Sequence, residues 1–327
     1  MLSEDGAQAY DVLVVGPNAA VDTYYSLDEL GVGQVNRLRT VRDTAGGKAN
    51  NLARALRRLG GRPLVVGIAA GQRGNFILSE LAREGLDSDY VLVDGNSRLN
   101  TTLLATGARV TTVLLEPGQP VPAEALEALR ARVARWVPQA GWVALTGSLP
   151  AGAPADLYAR LVGDAAGAGV PVAVDASGEP LRLAAQAGPD LIKVNLEEFE
   201  EAFPGEAHDW ERLHARYEAL AGAGLKALCL TAGARGALVV SDRDRFWVRT
   251  EVADWVSAVG AGDTFLAGLL HGLGRGAALR EAACLASAAA AANLQVLGCG
   301  FIERERVNYF QARTEVLEAE AFLEVAV

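Results

Sequence analysis

The chain has 327 residues, 50% of them hydrophobic and 21% charged, with 36 glycines and a formal net charge of −10. That composition excludes a disordered or low-complexity chain, and the acidic balance argues against a nucleic-acid binder, because phosphate-backbone binding needs a basic face. No apolar run reaches the roughly 18 residues that would span a bilayer, and the N-terminus has no basic segment leading into an apolar one, so the cytoplasm is the expected location.

The three cysteines are too few and too scattered for a disulfide framework or a zinc site, and the three histidines share no metal-ligand spacing. Lysine is sparing: Lys48, Lys193 and Lys226 stand among 30 basic residues. The first and second of these fall inside motifs described below, where a compact ammonium is wanted in place of a forked guanidinium.

In chain order, residues 11–16 form an apolar strand suited to the middle of a parallel sheet. It ends on Pro17-Asn18-Ala19-Ala20-Val21-Asp22. Loops at the carboxyl ends of parallel strands are where such sheets bind ligands, so Asn18 and Asp22 are placed to bond a polar small molecule, although an Asx-turn and a helix cap fit the same residues. From about 23 to 43 the pattern suggests strands outside any βαβ unit, with Tyr24, Tyr25 and Leu27, then Val35, Leu38 and Val41. A second such patch, from about 97 to 115, is rich in Thr and Val. Paired with each other, the two excursions would form a lid that excludes water from the sheet's carboxyl edge.

Between them, Gly46-Gly47-Lys48-Ala49-Asn50-Asn51 opens an amphipathic helix with Leu52, Leu56 and Leu59 on one stripe and Arg54, Arg57 and Arg58 turned elsewhere, capped by Gly60. This is no Walker A loop, which would need Gly at Arg42 and a hydroxyl at Ala49. Further strands are expected at 64–67, 143–146, 172–175, 191–195, 227–231 and 237–240, with helices at 76–84 and 123–137. The rhythm argues a three-layer α/β/α sandwich with a mainly parallel sheet. At the end of the strand 191–195, Asn195 and Glu198 are three apart on one helical face. They suit a hydrated Mg²⁺ held through water and, equally, a reciprocal helix cap.

Ser257-Ala258-Val259-Gly260-Ala261-Gly262-Asp263-Thr264-Phe265 precedes an apolar helical run. Bare glycine backbone at a helix N-terminus lets amides approach an anion, and Asp263 in the first turn puts a carboxylate beside it. A plain glycine turn with an Asp cap fits the same local pattern.

These motifs, in this order and separation, resemble the PfkB/ribokinase family of ATP-dependent sugar kinases, over nearly the whole chain. The run Val35-Asn36-Arg37 leading into Thr44-Ala45-Gly46-Gly47-Lys48 is most similar to the branch of 1-phosphofructokinases and tagatose-6-phosphate kinases. The resemblance implies one ribokinase-like catalytic domain over residues 1–327, with the two excursions as lid strands. It implies Asp263 as the base and Gly260, Ala261 and Gly262 as the anion hole. Asn18, Asp22, Gly46, Gly47, Lys48, Asn51, Arg98 and Ser148 would bind the sugar phosphate. Lys193, Asn195, Thr231, Gly233, Gly236, Ser257 and Asn293 would serve ATP, with Mg²⁺ at Asn195 and Glu198. A homodimer through the lid strands is implied as well.

The expected reaction is transfer of the ATP γ-phosphoryl to fructose 1-phosphate or tagatose 6-phosphate. The basic set Arg37, Lys48 and Arg98 in an acidic chain motivates a substrate already anionic. Fructose 6-phosphate, an unphosphorylated sugar or a nucleoside are alternatives, as is a silent binding regulator on the same fold. The chain departs from the branch at Ala19, Ala49, Thr102, Leu115, Val194 and Ala258. None of these removes the base, but Thr102 and Leu115 stand where a lysine and an asparagine are usual, which bears on the choice of sugar.

Overall fold

The computed structural model describes residues 8–107, 109–205 and 210–324. Strand β1 (Tyr10–Gly16) leads into β2 (Ala20–Leu27), then β3 (Thr40–Gly46), which runs directly into helix α1 (Lys48–Arg58). Next come β4 (Pro63–Ala70), α2 (Gly71–Arg83), β5 (Asp87–Val93) and the second excursion, β6 (Arg98–Ala105) with β7 (Val110–Leu115). From α3 (Ala123–Trp136) onward strand and helix alternate through β8 (Ala140–Thr146), α4 (Leu157–Gly167), β9 (Val172–Asp175), α5 (Gly178–Gln186) and β10 (Leu191–Asn195). Helices α6 (Leu196–Ala202) and α7 (Trp210–Ala223) precede β11 (Ala227–Thr231), and the chain turns back in β12 (Ala237–Ser241) and β13 (Arg245–Arg249). It finishes with α8 (Ala261–Gly274), α9 (Leu279–Asn293), α10 (Arg304–Gln311), β14 (Glu315–Leu317) and α11 (Ala319–Glu324).

Among the described residues the main sheet has ten strands in the order β14-β13-β12-β11-β10-β9-β8-β1-β4-β5. It is parallel from β5 to β11 and antiparallel beyond. The strand order reverses at β1, between β4 and β8, and a crevice opens at such a switch point beyond the carboxyl ends of the strands. Alternate residues of β1 serve opposite faces, as strand periodicity requires. Leu13 and Val15 join a core with α3, α4, α5 and α7, while Val12 and Val14 join a second core with α1, α8 and α9.

The smaller sheet has the order β3-β2-β6-β7, with β2 parallel to β6 and the other pairs antiparallel. Its register sets Ala20 beside both Gly46 and Arg98, and Asp22 beside both Thr44 and Asn100. Residues far apart in sequence are thereby brought to the end of β1.

The element boundaries differ from the sequence reading in instructive places. Val35 and Leu38 lie in no strand; the chain from 28 to 39 is irregular, and β3 begins at Thr40 and carries its pairing through to Gly46. Helix α2 begins at Gly71, five residues before the expected start, because Gly71-Gln72-Arg73-Gly74-Asn75 offers no apolar period to detect. The larger correction concerns α1. Arg54, turned off the leucine stripe as expected, is not on an open face: it is 2% exposed, because α1 is covered on a second side by the segment at Cys299 and Gly300.

Helix α8, which carries Asp263, packs on α9 through small residues. A Cβ added to Gly268 would lie 2.7 Å from Ala286 Cα, and one on Gly272 would lie 2.8 Å from Ala282 Cβ. The helices therefore meet nearly backbone to backbone. Gly268→Val forces them apart and is expected to lower stability by about 1–3 kcal/mol. Urea melts check this, and an unchanged midpoint would remove the close-packing account.

Candidate active site

The crevice at the end of β1 is lined by Asn18, Gly46, Gly47, Lys48, Arg98 and Ser148 among others. Asn18 Nδ2 donates to Ser148 Oγ at 3.1 Å, joining the loops after β1 and β8 across the switch point. Arg98 Nε donates to the Asn18 carbonyl at 3.3 Å. Asp22 is buried and accepts from Asn100 Nδ2 at 2.8 Å and from the Gly47 amide at 3.4 Å. Gly46 must be glycine, since a Cβ there would fall 2.0 Å from Asp22 Cγ. Burial pushes the Asp22 carboxyl above its ordinary pKa, against the Asn100 hydrogen bond and the Arg54 charge. Burial likewise pulls Arg98 down, with the Asp22 charge opposing. Arg37, by contrast, is exposed on the loop between β2 and β3.

Deeper in, the first turn of α8 presents Asp263. Gly260 caps this helix with φ of 80° in the left-handed region, and a Cβ there would lie 2.4 Å from Cys299 Cβ. First-turn amides have no partner within their helix. Of these, Ala261 N–H turns back to Ala258 O at 3.2 Å, while those of Gly262 and Asp263 lie where the helix dipole favours an anion. Asp263 is buried and accepts a 2.9 Å hydrogen bond from Asn51 Nδ2. Burial and the neighbouring Asp175 push its carboxyl up to about 7, against the pull of Lys48, Asn51 and Lys193.

The charges around it form a chain. Lys48 Nζ bonds Asp175 Oδ1 at 2.7 Å and Glu198 Oε1 at 2.9 Å, and Lys193 Nζ bonds Asp175 Oδ2 at 2.9 Å. Burial works against the Lys48 ammonium, yet Asp175, Glu198 and Asp263 outweigh it and raise its pKa. Burial also favours neutral Asp175, but Lys193 and Lys48 hold its carboxyl below the ordinary range. Lys193 reaches the start of α8, its Nζ 2.8 Å from where a Cβ on Gly262 would stand. Lys48 thus spans from the crevice at the end of β1 to the far side of the sheet edge.

At that far side Asn195 and Glu198 make a reciprocal cap: Glu198 N donates to Asn195 Oδ1 at 2.7 Å and Asn195 N to Glu198 Oε2 at 3.1 Å. The capping reading of this pair therefore holds. Its oxygens are also the hard donors that Mg²⁺ prefers, and the carboxylate keeps lone pairs for bridging waters. Thr231 pairs in register with Asn195 and donates to Val194 O at 3.3 Å, with Gly233 and Gly236 in the following turn. Ser257 and Asn293 are buried, and their side chains bond to the loop before α8, to the first turn of that helix and to Gly300. Ser257 Oγ accepts from Val259 N, while Asn293 bonds Val259 O, Gly300 N and Thr264 Oγ1.

Asp175, Asn100 and Arg54 belong to this constellation without having been singled out as site residues. Asp175 had a usable signal, a carboxylate closing a strand at the same sheet edge. Asn100 had none, because its meeting with Asp22 depends on the β2–β6 register. Elsewhere, a larger open depression of about 520 Å³ near the end of β5, lined by Leu92, Val93 and Asp94, holds none of these groups.

Residues 11–306 match a family model described as pfkB family carbohydrate kinase. Over 278 residues, which cover 85% of this chain and 88% of the relative, the sequence is 32% identical to the 1-phosphofructokinase of Rhodobacter capsulatus. The solved structure of phosphofructokinase-2 from Escherichia coli in complex with potassium superposes with a TM-score of 0.85 at 23% identity, covering 93% of this chain and 98% of that one. Arabidopsis thaliana ribokinase complexed with ribose and ATP superposes with a TM-score of 0.72 at 21% identity, covering 93% and 99%. Identities of this size speak for the fold, a ribokinase-like α/β sheet with a small separate sheet.

Asp263 keeps its proton in the folded protein up to about pH 7, whereas in the unfolded chain an aspartic acid ionises near pH 4. The folded state therefore binds the extra proton, and this group's contribution to stability falls as pH rises from about 4 to about 7, at up to about 1.4 kcal/mol per pH unit. Asp263→Asn should remove that slope in urea unfolding measured across the window. Parallel pH profiles for the two proteins would contradict the raised pKa.

Proposed function

The chain belongs to the pfkB family of carbohydrate kinases, and we propose that it transfers the γ-phosphoryl of ATP to the free primary hydroxyl of a phosphorylated ketohexose, fructose 1-phosphate first and tagatose 6-phosphate next. The observation that carries this reading is a buried carboxyl, Asp263, with a pKa of about 7 at a glycine-built helix N-terminus, behind a crevice lined by Lys48 and Arg98. A base poised near neutrality matches its task, and a crevice with cations on its wall suits an acceptor that already carries a phosphate. The kinship with a 1-phosphofructokinase supports the same choice.

In the proposed reaction Asp263 takes the proton from the attacking hydroxyl as that oxygen bonds to the γ-phosphorus and the bond to the ADP oxygen breaks. The amides at the start of α8, with Lys193 beside them, stabilise the charge on the transferring group. Asp22 and Asn51 bind sugar hydroxyls, Asn18 and Ser148 shape the crevice floor, and Arg98 and Lys48 meet the existing phosphate. Lys48 can do so on leaving Glu198, which returns that carboxylate to the nucleotide side. Thr231, Gly233 and Gly236 border the adenine nucleotide, with Ser257 and Asn293 holding the loop that faces it. Glu198 and Asn195 fit Mg²⁺ through water, and the ion would supply neutralisation of the phosphate charge. The smaller sheet acts as the lid of a single catalytic domain. Its exposed Val41, Val113, Leu114 and Leu115 support pairing of two copies through the lid strands.

Asp263→Ala should cut turnover by about 10²–10⁴-fold with ATP binding retained in calorimetry; a fully active variant would sink the base assignment. In a panel of sugars and sugar phosphates read by ADP release, fructose 1-phosphate should give the highest kcat/KM, and Arg98→Gln should raise KM for it while sparing KM for ATP. A flat response to all phosphorylated hexoses would refute the substrate class.

A further inference from the structure

We propose that Arg54 is a positioning residue for the phosphoryl-transfer base: its guanidinium fixes the Asn51 carboxamide so that Nδ2, and not Oδ1, faces Asp263. The inference rests on the reading of Asp263 as the base. Arg54 is among the largest fully buried side chains of the protein, and every polar atom of its guanidinium has a partner. Nη1 donates to Asn51 Oδ1 at 3.2 Å and to Cys299 O at 3.0 Å, and Nη2 donates to Ala45 O at 2.6 Å. Nε and Nη2 bind both oxygens of Glu84, just past the end of α2.

A guanidinium only donates, so the Asn51 atom it touches must be the oxygen, and the amide nitrogen is thereby turned toward Asp263 Oδ2. That donor favours the ionised carboxylate; the reversed amide would set an oxygen against it. The same guanidinium holds the carbonyl preceding Gly46 and the carbonyl of Cys299, whose side chain packs against Gly260. Both glycine turns are thus tied to one cation, an arrangement that a compact ammonium has too few directions to reproduce. The Phe301 ring covers the guanidinium at 4.4 Å and is shared with Arg42 of β3 at 4.0 Å.

The titratable groups facing Asp263 are Asp175 of β9, Lys48 of α1 and Lys193 of β10; those facing Arg54 are Glu84, Glu80 of α2, Asp22 of β2, Arg42 of β3 and Tyr90 of β5, and Cys299 faces both. Because removing Arg54 alone strands the Glu84 charge, the test is the pair Arg54→Met with Glu84→Gln. Once Asn51 is free to reverse, the acid limb of kcat/KM against pH should move up by about one unit, since hydrogen bonds to charged groups are of that size. Turnover near pH 7 falls correspondingly by about fivefold, approaching tenfold only below the limb, and recovers at alkaline pH, with KM for ATP unchanged. Leu81→Ala, which loosens the same helix as Glu84 without touching the network, should keep the wild-type limb. Adding Asn51→Ala to the pair should move the limb no further. A pair variant that folds and keeps the wild-type limb overturns the role of Arg54 while leaving the base intact. Full turnover in Asp263→Ala removes the base and Arg54's role with it.

Discussion

The site depends on holding Asp175, Glu198 and Asp263 together at the edge of the sheet with Lys48 and Lys193 as the balancing ammoniums. Asp175 lies in the centre and takes one ammonium on each oxygen, so it stays ionised even though it is fully buried. One carboxyl is then left over. Asp263, buried and beside the Asp175 charge, carries the cost by keeping its proton to about pH 7. The raised pKa is a consequence of charge counting in a dry place, with the Lys48 charge, the Asn51 donor and the Lys193 charge limiting how far the shift goes.

Close approach is what makes the cluster possible. Gly46 admits the Asp22 carboxylate, Gly260 admits the Cys299 side chain, and Gly268 and Gly272 let α8 lie against α9. Each removes a side chain where another group has to pass. The stretch from 257 to 302 is then held by buried polar side chains, Asn293 to Val259 and Gly300, Arg54 to Cys299, and Tyr24 beside Cys299. These bonds give the loop before α8 its shape through neighbours far away in sequence.

The smaller sheet is joined to this centre covalently. Strand β2 leaves from the loop that carries Asn18, and β3 ends on Gly46, one residue before the cap of α1. Arg42 on β3 donates to Leu297 O at 2.7 Å and stacks on Phe301, touching the segment behind the glycine turn at 260. A shift of the small sheet is therefore felt at both glycine turns, which suits an element that closes over a reacting centre.

The sequence by itself determined the layers and the ingredients. Apolar runs with period-two and helical patterning, ended by polar residues, are local signals, and the strands from 172 to 231 were legible almost to the residue. The glycine turns at 46 and 260, the lysines at 48 and 193 and the aspartate at 263 were legible for the same reason: a nest, a cation and a carboxylate are written in adjacent letters. Only the tertiary structure decided which of them touch. Arg54 reads as a solvent-facing helical residue because periodicity records one buried face, while α1 is covered on two. Asn100 meets Asp22 through a strand register, and Asp175 stands between Lys48 and Lys193 through the order of parallel strands. The protonation of Asp263 likewise arises from burial and distance to other charges, which are properties of the packed chain and have no expression in the sequence around it.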